Sequence, residues 1–231
     1  MRGYRREHLD VDPPLLSPGY RATVKRAPQR PLIYVPDGLS EITGPVYGRD
    51  RVSETDNDLT CQHEEEAIGQ RITVAGRVLD GDGRPVPDAL IEVWQANAGG
   101  RYRHQGDQHP ASLDPNFDGA GRCATDSEGN YEFTTIQPGA YPWANHYNAW
   151  RAAHIHFSLF GPAFATRLVT QMYFPGDPLF FQDPIYNSVR DERDRERLIS
   201  SFDLESTVPD VSLGFKWDIV LRGREAMPME D

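Results

Sequence analysis

His154 and His156 stand two apart in the apolar run Arg151-Ala-Ala-His-Ile-His-Phe. Side chains at i and i+2 of a strand share a face, so an extended backbone turns both imidazoles toward one spot. Imidazole is the commonest metal ligand among side chains. Two tyrosines sit on bends marked by Gly and Pro: Tyr102 follows Gly99-Gly100, and Tyr141 follows Pro138-Gly139. A phenol titrates near pH 10 in water, but a coordinating trication makes its deprotonated form the stable one. Two tyrosinates and a hydroxide carry three negative charges against the three positive charges of Fe(III). With two neutral imidazoles the five-coordinate site is formally neutral, which a low-dielectric pocket tolerates. Zinc or copper would be expected to recruit cysteine, carboxylate or a third histidine, and none is placed as suggestively here. Taken alone, the pattern also admits a second reading, a half-buried histidine pair with two core or interface aromatics.

The elements around these residues read as strands. Arg71 to Leu79 is β-rich and closes on Asp80-Gly-Asp-Gly-Arg-Pro, a turn signal between β-rich segments. Further strands are expected at Ala89–Gln95, Gly121–Thr125, Tyr131–Ile136, Ala153–Phe160, Arg167–Phe174 and Lys216–Arg222, with the turn Asp126-Ser-Glu-Gly-Asn before the fourth. Short strands, tight turns and few helical patterns indicate an all-β fold with a β-sandwich core. One helix is expected, from Asn187 to Phe202, with Val189, Leu198, Ile199 and Phe202 apolar among many charges. The sequence divides into an extended arm and partner-contacting segment over 1–70 and a sandwich domain over 71–231. Prolines at 13, 14, 18, 28, 31, 36 and 45 oppose long helices in the arm. Its aromatics Tyr20, Tyr34 and Tyr47 favour an ordered arm against a partner chain over a disordered tail.

Bulk properties remove several functions. The chain has 231 residues and a formal charge of −11, which repels a phosphate backbone and argues against nucleic-acid binding. An anionic substrate would need arginine or tyrosine donors placed locally. No apolar run approaches the roughly 18 residues of a membrane span. The charged N-terminus lacks the apolar stretch of a secretory signal, so a cytoplasmic protein is expected. Cys61 and Cys123 are the two cysteines. They lie far apart in sequence without zinc-finger spacing, and are expected as free thiols.

Three stretches carry a resemblance: Glu92-Val-Trp-Gln-Ala-Asn-Ala-Gly-Gly-Arg-Tyr-Arg-His, Leu113-Asp-Pro-Asn-Phe and Trp150-Arg-Ala-Ala-His-Ile-His-Phe. Through them residues 71–174 resemble the intradiol ring-cleaving dioxygenases, non-haem Fe(III) enzymes that split catechols between their two hydroxyls. The likeness enters the arm at Leu16-Ser-Pro-Gly-Tyr and Ser40-Glu-Ile-Thr-Gly-Pro and reaches Asp218-Ile-Val-Leu-Arg-Gly. The resemblance implies Tyr102, Tyr141, His154 and His156 as iron ligands, Tyr102 and His154 equatorial with hydroxide, Tyr141 and His156 axial. It implies that Tyr141 leaves the metal with a substrate proton, that Arg151 stabilises negative charge on the ring, and that Gln171 orients Arg151. Trp143 and Ile185 fall where the family places pocket walls, and Tyr20 where it contacts a ring carboxylate. Within the family the likeness is to members that cleave protocatechuate with O2 alongside a related α chain in a hetero-oligomer. Two alternatives remain at this point. One is a homodimeric catechol or hydroxyquinol dioxygenase, although those relatives carry a helical N-terminal segment where this chain is Pro-rich. The other is a metal-free β-sandwich that binds a ligand or partner.

Overall fold

The computed structural model describes residues 11–31, 33, 52–144, 147–161, 164–221, 223 and 225–229. Tyr34, Tyr47 and the 40–45 segment therefore lie outside the described residues. Two sheets form the body. In the first, β1 (Arg71–Leu79) pairs antiparallel with β4 (Asn130–Ile136) on one edge. On its other edge β1 pairs parallel with β10 (Leu213–Lys216) and then with β11 (Ile219–Val220). The short β9 (Ser201–Phe202) lies on β10. The second sheet is antiparallel, in the order β3 (Ala120–Ala124), β2 (Leu90–Gln95), β7 (His154–Gly161), β8 (Phe164–Tyr173). A two-stranded ribbon joins β5 (Tyr141–Pro142) to β6 (Trp150–Arg151).

The core forms because alternate residues of each strand are apolar and face the opposite sheet. Ile72, Val74 and Val78 of β1 alternate with less buried neighbours. Phe157 joins the sheets, edge-on to Tyr131, Phe133 and Trp217. Strand β7 departs from simple alternation, since all of His154 to Leu159 is buried. Ile155, Phe157 and Leu159 belong to the core, so His154 and His156 lie on the other face, shielded from solvent. That second face is where the site is built.

Two sequence expectations need correction. The helix expected over Asn187–Phe202 is interrupted. A 3-10 turn spans Tyr186–Ser188, and an α-helix covers only Glu192–Arg197, capped by the Asp191 carboxylate on Arg193 N. Beyond Leu198 the chain pairs instead with β8, through Tyr173 N to Leu198 O and Ser200 N to Tyr173 O. The strand expected over Lys216–Arg222 is split at Trp217-Asp218. There Trp217 N still donates to the Ala75 carbonyl, but Tyr131 donates to the Trp217 carbonyl and the Asp218 carboxylate accepts from Arg77 N, so side chains replace part of the ladder.

The described arm packs on the sandwich. It carries α1 (Arg21–Arg26), and Asp12 Oδ1 accepts from Met229 N, tying the arm to the C-terminal segment. Residues 52–70 also bind the body: Leu59 N donates to Thr134 O, and Arg122 N to Asp56 O. Cys61 is exposed, Cys123 is buried, and both are free. No helix among the described residues is long and apolar enough to cross a membrane.

Candidate metal centre

Register sets the neighbours of the histidines. On β7, His154 pairs with Tyr173 and His156 with Gln171 of β8, while His156 pairs with Trp94 of β2. Trp94 stacks on His156 with ring centroids 4.7 Å apart and planes 4° from parallel. His154 Nδ1 lies 2.6 Å from the Ala152 carbonyl, which can only accept, so that nitrogen carries the hydrogen. Burial, with the nearby charge of Arg151 and then His156, pushes the His154 pKa well below its ordinary value. The ring is therefore neutral and its Nε2 presents a lone pair.

That lone pair points at two other donors. His154 Nε2 lies 3.3 Å from His156 Nε2 and 3.5 Å from Tyr102 Oη, and His156 Nε2 lies 3.2 Å from Tyr102 Oη. The point equidistant from these three atoms is about 1.9 Å from each, close to the ~2.0–2.1 Å of a metal–imidazole bond. Among the described residues no group of three or more His, Cys, Asp or Glu is placed to hold a metal. A cation here therefore depends on phenol oxygen, which suits a hard ferric ion. Tyr141 flanks the trio, its ring 5.6 Å from that of Tyr102 and 5.7 Å from that of His154.

The tyrosines reach the histidines because their loops interlock. Asn97 folds the first loop: its Oδ1 accepts from Gly99 N and Arg101 N at 3.0 Å each, and its carbonyl accepts from Gly100 N and Gly139 N. Gly100 has φ +77°, and a Cβ there would run into the Ala140 carbonyl. Gly139 in turn abuts the Ala98 carbonyl and Gly100 N. The Asp107 carboxylate accepts from Tyr102 N at 2.8 Å.

Beside the trio lies a buried polar cluster. Arg151 is 3% exposed, a cation held inside the fold rather than at its surface. Its Nη2 donates to Gln171 Oε1 and to Tyr173 Oη, and its Nη1 to Tyr141 Oη at 3.5 Å. Burial opposes the guanidinium charge, but Asp183, Tyr173 and Tyr141 outweigh it and hold the pKa well above its ordinary value. Among the described residues Gln171 Nε2 has no hydrogen-bond partner, a buried amide donor left for a ligand or water. Tyr20 and Trp143 pack ring to ring at 5.3 Å, and the Arg151 guanidinium carbon lies 5.9 Å from the Trp143 ring. Tyr20, Gln171, Tyr173 and Ile185 line one narrow cavity.

All nine residues singled out from the sequence thus fall in one neighbourhood. Sequence reasoning missed Tyr173 and Asp183. Tyr173 was within reach, since it follows Gln171 by two and shares its strand face. Asp183, in Gln182-Asp-Pro, reads from sequence only as a turn residue.

Comparison with known proteins follows the same lines. Residues 42–223 match the family model described as dioxygenase, and residues 4–37 match the model of the protocatechuate 3,4-dioxygenase beta subunit N terminus. The chain is 57% identical over 220 residues to the protocatechuate 3,4-dioxygenase beta chain of Burkholderia cepacia, covering 94% of this chain and 93% of that one. It is 29% identical over 202 residues to the alpha chain of the Pseudomonas putida enzyme, covering 84% and 95%. Among solved structures, the dioxygenase domain of a carbohydrate-binding fusion from Streptomyces sp. SirexAA-E matches with TM-score 0.53 and 27% identity, over 78% of this chain and 94% of that one.

Proposed function

This chain belongs to the intradiol dioxygenase family, and from that premise we propose that it cleaves protocatechuate (3,4-dihydroxybenzoate) with O2, giving 3-carboxy-cis,cis-muconate in aromatic catabolism. The cofactor in this reading is non-haem Fe(III), held by Tyr102, Tyr141, His154 and His156. The observation that carries it is the convergence of one phenol oxygen and two imidazole nitrogens within 3.2–3.5 Å of one another, with Tyr141 alongside. Bound there, ferric iron would draw electron density from a catecholate ring and open that ring to attack by O2.

The chain's own groups have separate tasks. His154 is held neutral by burial and the nearby Arg151 charge, and the Ala152 carbonyl fixes the tautomer that leaves the Nε2 lone pair inward. The Tyr141 phenolate oxygen takes up a proton from a substrate hydroxyl, with Arg151 Nη1 beside it. Arg151 keeps a fixed positive charge at the edge of the site, where it offsets negative charge that grows on the ring during oxygen attack. Gln171 and Tyr173 fix its outer nitrogen. Trp143 and Ile185 form walls for the flat ring. Tyr20 is the donor to the ring carboxylate, against the unfavourable field of a chain with net charge −11. The partner is a related α chain in a hetero-oligomer, supported by the match to the beta-subunit N-terminal model and by the kinship to an alpha chain.

Oxygen uptake with protocatechuate and with catechol, measured on this chain with and without an α chain, tests the proposal together with the visible spectrum. Red-brown protein active on protocatechuate in the presence of α supports it. Full catechol activity from this chain alone points to the homodimeric class, and a colourless, iron-free native protein leaves a binding module.

A further inference from the structure

Asp183 is fully buried, and its carboxylate accepts from two segments of the site at once. Arg151 Nε lies 3.1 Å from each of its oxygens. Oδ2 also accepts from Ala152 N at 3.1 Å, and Oδ1 from Ile185 N at 2.9 Å and Tyr186 N at 3.1 Å. Four donors use up the roughly four lone-pair positions of a carboxylate, so it has little freedom to turn. Because the contact is made at Nε, both terminal nitrogens of Arg151 are left to face Tyr141, Gln171 and Tyr173. The same oxygens hold the turn that carries Ile185, a wall of the proposed pocket.

We propose that Asp183 is a positioning residue for the ring-cleavage reaction, aiming the Arg151 guanidinium and setting the Ile185 wall in register with it through one carboxylate. Its action passes through Arg151 and Ile185 rather than through contact with substrate. The inference rests on the reading of Arg151 given above. A buried guanidinium is stable beside a paired anion and costly alone, so the two residues form one electrostatic unit.

Steady-state oxygen uptake with protocatechuate on the iron-loaded complex with the α chain tests this, comparing Asp183→Asn, Arg151→Gln and the double variant. Asp183→Asn is expected to lower kcat roughly 10- to 100-fold, the usual loss for an outer partner of a site, with at most a few-fold rise in KM from the Ile185 wall and the visible spectrum little changed. In the Arg151→Gln background the same substitution should cost far less than in the parent, leaving only the part carried by the Ile185 wall, because coupled residues are not additive. Unchanged kcat in Asp183→Asn, or losses that multiply, overturns the proposal while leaving the enzyme reading intact. No uptake by the unsubstituted complex overturns both. If Asp183→Asn alone does not fold, folding of the charge-balanced double variant supports the pairing, and failure of both variants assigns Asp183 to stability alone.

Discussion

Trp94 lies flat on His156, 4.7 Å between ring centroids, although the two belong to neighbouring strands and only one is a proposed ligand. The indole fixes the rotation of the imidazole and so the direction of its Nε2. Trp94→Leu keeps apolar volume but loses the stack. With aromatic pairs worth about 0.5–1.5 kcal/mol beyond burial, iron retention should fall by roughly two- to tenfold in a chelator titration. An unchanged titration curve would show that the stack does not steer His156.

Tyr102 contributes a phenol oxygen within hydrogen-bonding distance of both imidazoles. Tyr102→Phe should weaken and shift the visible band, leaving the Tyr141 contribution, and lower oxygen uptake by more than roughly 100-fold, beyond the usual loss for an outer partner. The melting temperature of iron-free protein should barely move, since only a half-buried hydroxyl is removed. A variant with an unchanged visible spectrum and unchanged activity would remove Tyr102 from the ligand set.

Gly100 carries a left-handed φ and has no room for a Cβ against Ala140. Gly100→Ala should destabilise the fold by about 1–3 kcal/mol. It should also depress kcat, because the loops of Tyr102 and Tyr141 meet at this point. Urea unfolding and kinetics on one preparation would show whether both change together; a kcat loss without any stability loss would contradict the steric account.

Burial pushes the Cys123 thiol up to about 12 from an ordinary 9.0. The folded protein therefore holds this proton where the unfolded chain has lost it. That contribution to stability is complete below about pH 9 and declines as pH rises toward 12, by up to about 1.4 kcal/mol per unit. Tyr131, raised well above 10 by burial, acts in the same direction at higher pH. Urea midpoints from pH 8 to 10 should fall, and fall less in Cys123→Ala. A thiol reagent should find one reactive group per isolated native chain, the exposed Cys61, and two in denaturant.

What was legible in the sequence had local causes. The alternation through His154-Ile-His-Phe is a period-two signal whichever way the sheet packs, and Gly100 and Gly139 announce bends through their own backbone freedom. The sandwich followed from those signals repeated along the chain. What was hidden depends on distant partners. The residues after Leu198 continue a helical pattern of charges, yet Tyr173 draws them into backbone pairing. Trp217-Asp218 looks like mid-strand sequence, but Tyr131 and Arg77 take part of its hydrogen bonding. Asp183 gains its meaning only when Arg151, 32 positions away, folds beside it.

The parallel pairing of Ile72 with Leu213 has a consequence for how the chain assembles. Strand β1 is synthesised well before Leu213–Lys216, the segment that covers one of its edges. Until then that edge is an open ladder of amides and carbonyls, the kind of surface that recruits foreign strands. Nascent protein is thus open to misassociation at that edge until β10 is made.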